Sequence, residues 1–126
     1  MTALKKNILW VDGLGGLGAG LAMLLLSPWL IDLYGLPPHI FYLVATANVL
    51  YGSYSTPLAM SAERPMKLLT LLCAANMAWP LVCVAVLLTH RETLTILGAG
   101  HLVIEGVYVG CLGLVEWRWR RDLTKR

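Results

Sequence analysis

Charge is scarce in this chain, and its distribution excludes most soluble functions. Only 13% of the 126 residues are charged, about half of the ~25% usual in a soluble domain. No Lys or Arg occupies the interior of any of the four long apolar runs. The net charge of +3 comes from basic residues that flank those runs, so it calls for no nucleic-acid partner. Cysteine is equally sparse. Cys73, Cys83 and Cys111 all fall inside apolar runs, with no C-x-x-C pair and none in a connector. That excludes a quinone-coupled disulfide oxidoreductase of the four-helix membrane type, which needs vicinal and loop cysteines, and leaves the three as small buried apolar side chains.

Histidine is also rare. His39 and His90 fall in connectors and have no H-x-x-x-H or H-E-x-x-H neighbour, and only His101 lies well inside a run. No metal site is expected, and no motif identifies a cofactor. The glycines near the N-terminus have neither the spacing nor the preceding strand of a dinucleotide fingerprint. No A-x-A-like cleavage site follows Leu26, where Ser27-Pro28-Trp29 stands instead, so the first run is expected to be a retained span rather than a signal peptide.

What is abundant is apolar sequence: 58% hydrophobic residues, with a mean hydropathy of +0.69. The runs cover about residues 8–33, 40–60, 66–88 and 94–117. Each is long enough as a helix, at about 1.5 Å per residue, to cross a hydrocarbon core of about 30 Å. The connectors are short, so neighbouring helices must be antiparallel. The expected fold is all-α: one domain over residues 1–126, an integral membrane antiparallel four-helix bundle.

Orientation follows from the basic residues. Lys5, Lys6, Arg64, Lys67, Arg118, Arg120, Arg121, Lys125 and Arg126 fall on one side of a four-span topology, and only Arg91 on the other. The positive-inside rule places both termini in the cytoplasm and the chain, as a multi-pass protein, in the cell's inner (plasma) membrane. Trp117 and Trp119 at one boundary, and Trp29 with Tyr34 at the other, suit an interfacial aromatic belt. Ser27-Pro28 reads either as the start of a short interfacial helix, with Ser27 as N-cap, or as a kink in the first helix.

Small residues supply helix contacts. Gly16 and Gly20 in the first run, and Gly106 and Gly110 in the fourth, have G-x-x-x-G spacing. They suit close packing within one bundle or a homodimer face on the first or fourth helix.

Polar residues carry the functional expectation. His101, Glu105 and Tyr108 recur at i, i+4 and i+7 on one face of the fourth helix, and Glu116 extends that face. Asn48, Tyr51 and Ser55 form a stripe on the second. Asn76 lies on the third helix with Trp79 beside it, and Pro80 takes away the hydrogen bond to the Asn76 carbonyl. Counted from the run ends, Asn48, Asn76 and Glu105 come out about 12, 15 and 17 Å deep, at one level near the midplane. A carboxylate there costs roughly 2.5–3.5 kcal/mol on insertion scales and normally marks a binding or proton-handling site.

The expected function is therefore a lipid-embedded site for a lipophilic or amphipathic small molecule. Glu105 and His101 are its candidate acid–base groups, and Asn48, Tyr51, Ser55, Asn76, Trp79 and Tyr108 are candidate binding residues. Two alternatives stand beside it. One is a proton-coupled carrier acting as a dimer, whose layout is similar to that of small multidrug exporters. Their essential glutamate lies in the first helix, where this chain has none. The other is an accessory subunit of a membrane complex, in which the polar level only sets helix register. A second polar cluster is expected at the cytoplasmic edge, where Asp12, Ser55, Thr56, Glu116 and Arg118 share a level.

Overall fold

Proline or glycine marks three of the four breaks between helices, and the polar segment from His90 to Thr95 makes the fourth. The computed structural model describes residues 3–125. They form α1 (Ala3–Leu25), α2 (Ser27–Tyr34), α3 (Pro38–Met60), α4 (Met66–Thr89) and α5 (Ile96–Leu123). Among the described residues, β structure is limited to one antiparallel bridge between Glu63 and Lys125.

Gly35 ends α2 in the left-handed region, at φ 70°, and its N–H bonds to the Ile31 carbonyl. This is a C-terminal cap that glycine adopts without steric cost. Pro38 starts α3 and Pro65 precedes α4, positions where a missing N–H costs no helical bond. The Thr95 hydroxyl caps α5 by accepting from the Gly98 N–H at 3.2 Å.

Two boundaries differ from the sequence-based expectation. The run at 8–33 is two helices, broken at Leu26. Ser27 is not the N-cap: Leu26 holds that position without a side-chain bond. Ser27 is instead buried in the first turn of α2, and its hydroxyl accepts from Tyr42 at 3.1 Å. The last helix reaches Leu123 rather than Trp117, because Leu123 and Trp119 keep packing at that end and the Lys5 ammonium lies over the Trp119 ring.

Packing joins the helices into two antiparallel pairs, α1 with α3 and α4 with α5. Glycine sets both registers. A Cβ on Gly13 would meet Thr56, one on Gly16 would meet Asn48 and Gly52, and one on Gly20 would meet Ala45 and Val49. In the other pair, Gly106 faces Cys83, Gly110 faces Pro80, and Gly113 faces Asn76 and Met77. The G-x-x-x-G faces of both helices are therefore occupied within the chain, by backbones that approach closely where no side chain intervenes. Gly18 and Gly100 have nothing within 4 Å. The pairs are joined by the Tyr51 hydroxyl, which donates to the Ala75 carbonyl at 2.9 Å, and the Tyr54 hydroxyl, which donates to the Leu68 carbonyl at 2.8 Å.

Apolar packing forms two separate cores. One lies toward the α2 end and includes Met23, Phe41, Val44, Trp79, Cys83 and Leu102. The other lies toward the chain termini and includes Ile8, Leu9, Leu58, Leu69, Leu72, Leu112 and Leu123. Outward faces are also apolar, with Leu14, Leu25, Leu50, Leu71, Leu81, Ile104 and Leu114 exposed. Cys111 is exposed too, so only Cys73 and Cys83 are buried as expected. Cys111 lies in a shallow surface groove between α4 and α5, beside Gly110 and Pro80.

Three helices are long and apolar enough to cross a membrane: α1, α4 and α5, with hydropathies of 1.7, 2.2 and 1.5. Helix α3 is as long as α1 and carries no Asp, Glu, Lys or Arg. Asn48, Tyr51, Ser53, Tyr54, Ser55 and Thr56 lower its hydropathy, and it is not among the three.

The two ends of the bundle are stitched differently. At one end the buried Arg64 guanidinium donates to the Leu58, Ala59 and Leu123 carbonyls at 2.6, 3.0 and 3.0 Å. A cation thus sits on the C-terminal carbonyls of α3 and α5, where the helix dipoles favour it. Lys5 pairs with Asp122 at 2.5 Å across the same end. The basic residues at the start of α1, between α3 and α4 and at the end of α5 therefore share one end, with Arg126 outside the described residues. At the other end, Thr95 bonds the Tyr34 carbonyl through its N–H at 3.0 Å and the Leu33 carbonyl through its hydroxyl.

Candidate functional site

Between the two apolar cores lies a cavity of about 280 Å³. Its walls come from four helices: Asp12, Gly15, Gly16 and Ala19 of α1; Asn48 and Tyr51 of α3; Asn76 and Trp79 of α4; and His101, Ile104, Glu105, Tyr108, Val109 and Leu112 of α5. Of the side chains expected from the sequence, all but Ser55 line this space. Ser55 is fully buried behind it, toward the termini. Two polar groupings face the cavity, one at each end.

The first is built on α5. His101 and Glu105 are one turn apart, with His101 Nε2 3.4 Å from Glu105 Oε2. Both Glu105 oxygens are buried and make no hydrogen bond to a described residue. The Tyr34 hydroxyl of α2 meets His101 Nδ1 at 2.9 Å, with the rings 5.1 Å apart. Burial and then the Glu105 charge raise the Tyr34 phenol above its ordinary pKa, which keeps it a neutral O–H. As donor to Nδ1, Tyr34 leaves the imidazole proton on Nε2, aimed at Glu105. In the opposite tautomer, Nδ1 donates to the Tyr34 hydroxyl and Nε2 keeps its lone pair. Sequence reasoning missed Tyr34, assigning it to an interfacial belt. The contacts that seat the end of α2 on α5, the Thr95 N–H on the Tyr34 carbonyl and Gly98 beside it, have no periodic signature.

The second grouping joins three helices. The Asn76 amide donates through Nδ2 to Asp12 Oδ2 at 2.7 Å and to Glu116 Oε1 at 2.8 Å. Asn76 and Glu116 are completely buried and Asp12 nearly so. Asp12 thus has a specific partner, beyond any general attraction to the N-terminus of α1. Of the cluster expected here, Asp12, Ser55 and Glu116 come together while Arg118 is exposed.

One expectation is overturned. Asn76 does not share a level with Glu105. Opposite Gly113, it lies two turns along α5 toward the termini, while Cys83 is the residue opposite Gly106. Depth counted from run ends assumed that all runs begin at equal heights. The glycine contacts instead set the register of α4 on α5. Asn48 lies beside Gly16, between the two groupings, and its amide donates to the Val44 carbonyl of its own helix at 3.1 Å.

The walls between the groupings are aromatic. Tyr51 and Trp79 meet edge to face at 5.7 Å, and the buried Trp79 Nε1 has no acceptor among the described residues. Helices α1 and α5 touch only sparingly, and between them the half-exposed Tyr108 bridges the gap. Its hydroxyl donates to the Val11 carbonyl at 3.3 Å and lies over Gly15. Ile104, beside it, is 71% exposed. The cavity therefore reaches the outer surface of the bundle through the α1–α5 cleft. Comparison with protein-family models, with characterised proteins and with solved structures finds no match for this chain.

Proposed function

We propose that this chain is a four-span membrane protein, with both termini cytoplasmic, whose cavity binds an amphipathic small molecule. Glu105 and His101 hold its cationic or hydroxylated head. Tyr51, Trp79 and Tyr108 flank its body, and access is from the lipid through the α1–α5 cleft. Helix α3 is the fourth span. Its length, its lack of charge and its antiparallel packing along α1 support that assignment. The basic residues gathered at one end support the orientation.

One observation carries the ligand reading. Glu105 presents two buried oxygens to a cavity with aromatic walls, neither of them hydrogen-bonded among the described residues and one of them 3.4 Å from His101 Nε2, and buried polar groups ordinarily find partners. A volume of about 280 Å³ is near the lower end of ligand pockets, about 300–1,000 Å³. It suits a small head group, with an apolar tail leaving between helices. Proton transfer to or from such a head has its acid–base pair in Glu105 and His101. A proton-coupled carrier is the second reading, favoured by the further carboxyl group of Asp12 on the same cavity.

The test uses the purified protein in lipid nanodiscs, titrated with dodecylamine and followed by tryptophan fluorescence, with Trp79→Phe to assign the signal. Saturable binding is expected, at least about tenfold weaker in Glu105→Gln (1.4 kcal/mol per decade). Binding that is absent, or indifferent to Glu105→Gln, refutes the reading and leaves the polar residues as helix glue.

A further inference from the structure

Asp12 Oδ2 and Glu116 Oε1 accept from the same Asn76 Nδ2, so the two carboxyl groups are neighbours, and among the described residues neither is recorded in an ion pair with Lys or Arg. Lys5 pairs with Asp122, and Glu105 lies beside His101. The Asn76 amide supplies two hydrogen bonds and no charge. Two buried carboxylates at this separation repel unless a positive charge sits with them.

A second observation points to where that charge goes. Ser55 is completely buried next to Thr56, which faces α1 at Gly13 beside Asp12, and the Ser55 Oγ has no hydrogen-bond partner among the described residues. Glu116 Oε2 and Asn76 Oδ1 are buried and unpartnered in the same way. Thr56 Oγ1, also buried and unpartnered, faces α1 at Gly13, next to Asp12. The unsatisfied atoms are all oxygens, the donor type that hard cations and protons take.

We propose that Asp12, Glu116, Asn76 and Ser55 form a binding site for one monovalent cation, a proton or Na⁺, at the termini end of the cavity. As a proton the cation sits between the two carboxyl groups. As Na⁺ it takes the carboxylate, hydroxyl and amide oxygens together. Half a turn of the Asn76 amide exchanges Nδ2 for Oδ1, so one side chain serves the pair with and without the ion. Other titratable groups near the pair are Tyr51 from α3, Cys73 from α4 and Tyr108 from α5, and the Arg120 charge of α5 acts on Cys73 from its place on Trp117. This site is separate from Glu105 and stands whether or not that residue binds a ligand.

The experiment measures thermal unfolding of the full chain in nanodiscs. One arm replaces choline chloride by NaCl at constant ionic strength and pH 8. The other lowers the pH from 8 to 5 without Na⁺. Wild type is expected to gain about 3 °C or more in one arm, and that arm identifies the ion. Asp12→Asn and Glu116→Gln lose the gain, while Glu105→Gln keeps it. A wild type flat in both arms, or a gain retained in both Asp12→Asn and Glu116→Gln, overturns the proposal. If those variants fail to fold, two readouts decide instead. The first is the infrared carboxyl band of the wild type, expected to change between the two conditions of the responding arm. The second is Ser55→Ala, expected to weaken a Na⁺ response at least about fivefold in apparent affinity. An unchanged carboxyl band overturns the proposal, as does a Na⁺ response untouched by Ser55→Ala.

Discussion

Gly52 offers the sharpest test of how this bundle is held together. A Cβ built there would lie 2.5 Å from the Leu17 nitrogen, 2.6 Å from Leu17 Cγ and 2.7 Å from the Gly13 carbonyl oxygen. Two of these are backbone atoms, which no rotamer change can move. They fall roughly 1 Å short of the 3.5–4.0 Å at which carbon contacts are optimal. Gly52→Ala must therefore push α3 away from α1 by a sizeable part of an ångström. A gap of 0.5–1 Å forfeits about a quarter to a half of each contact's attraction along the seam. Overpacking of this kind costs about 1–3 kcal/mol. Gly18 is the control, since a Cβ there meets nothing within 4 Å. Gly18→Ala keeps the packing and gains up to about 1 kcal/mol of helix propensity. Unfolding by SDS titration in mixed micelles compares the two. Gly52→Ala is expected to lose at least about 1 kcal/mol, and Gly18→Ala to stay level or gain. Equal stability of the two variants would refute the α1–α3 register and, with it, the wall that Gly16 and Asn48 give the cavity.

Other substitutions probe other links. Arg64→Met removes three charge-assisted bonds to helix-end carbonyls and should cost about 3 kcal/mol; faster hydrogen exchange at the Arg64 amide, which bonds the Thr124 carbonyl, is its local readout, and wild-type protection would count against the stitch. Asn76→Leu takes the shared donor from Asp12 and Glu116 and should cost about 2–4 kcal/mol, with much of the loss recovered when all three become leucine; chemical unfolding of both variants checks this. Tyr108→Phe should change stability by no more than about 0.6 kcal/mol but speed dodecylamine binding in stopped-flow fluorescence, because the bond to the Val11 carbonyl across the cleft is lost. Tyr34→Phe should leave folding intact and shift the ¹⁵N resonances of His101, since the partner of Nδ1 is gone; an unmoved imidazole signal would disprove that contact.

Much of the architecture was legible in the amino-acid order, because apolar length and helix-breaking residues are local properties. The runs, the connectors at Pro37-Pro38 and Pro65, and the polar face of His101, Glu105 and Tyr108 all follow from composition and a 3.6-residue period. The gathering of basic residues at one end follows from antiparallel connection. The break at Leu26 was harder to see, since Ser27-Pro28 fits a kink and a new helix equally well.

What the order of residues could not decide is relative height. Asn76 belongs with Asp12 and Glu116, and not with Glu105, because Pro80 and Cys83 seat against Gly110 and Gly106 and so set how far α4 slides along α5. Tyr34 reaches His101 because the Thr95 N–H holds the Tyr34 carbonyl and Gly98 leaves room for it against α5. Periodicity within a helix says which side chains share a face. Only close contact between backbones, made where glycine leaves room, says which faces meet at which turn. In this protein that contact moved Asn76 from the level expected of Glu105 to the second acidic grouping, with Asp12 and Glu116, at the other end of a single cavity.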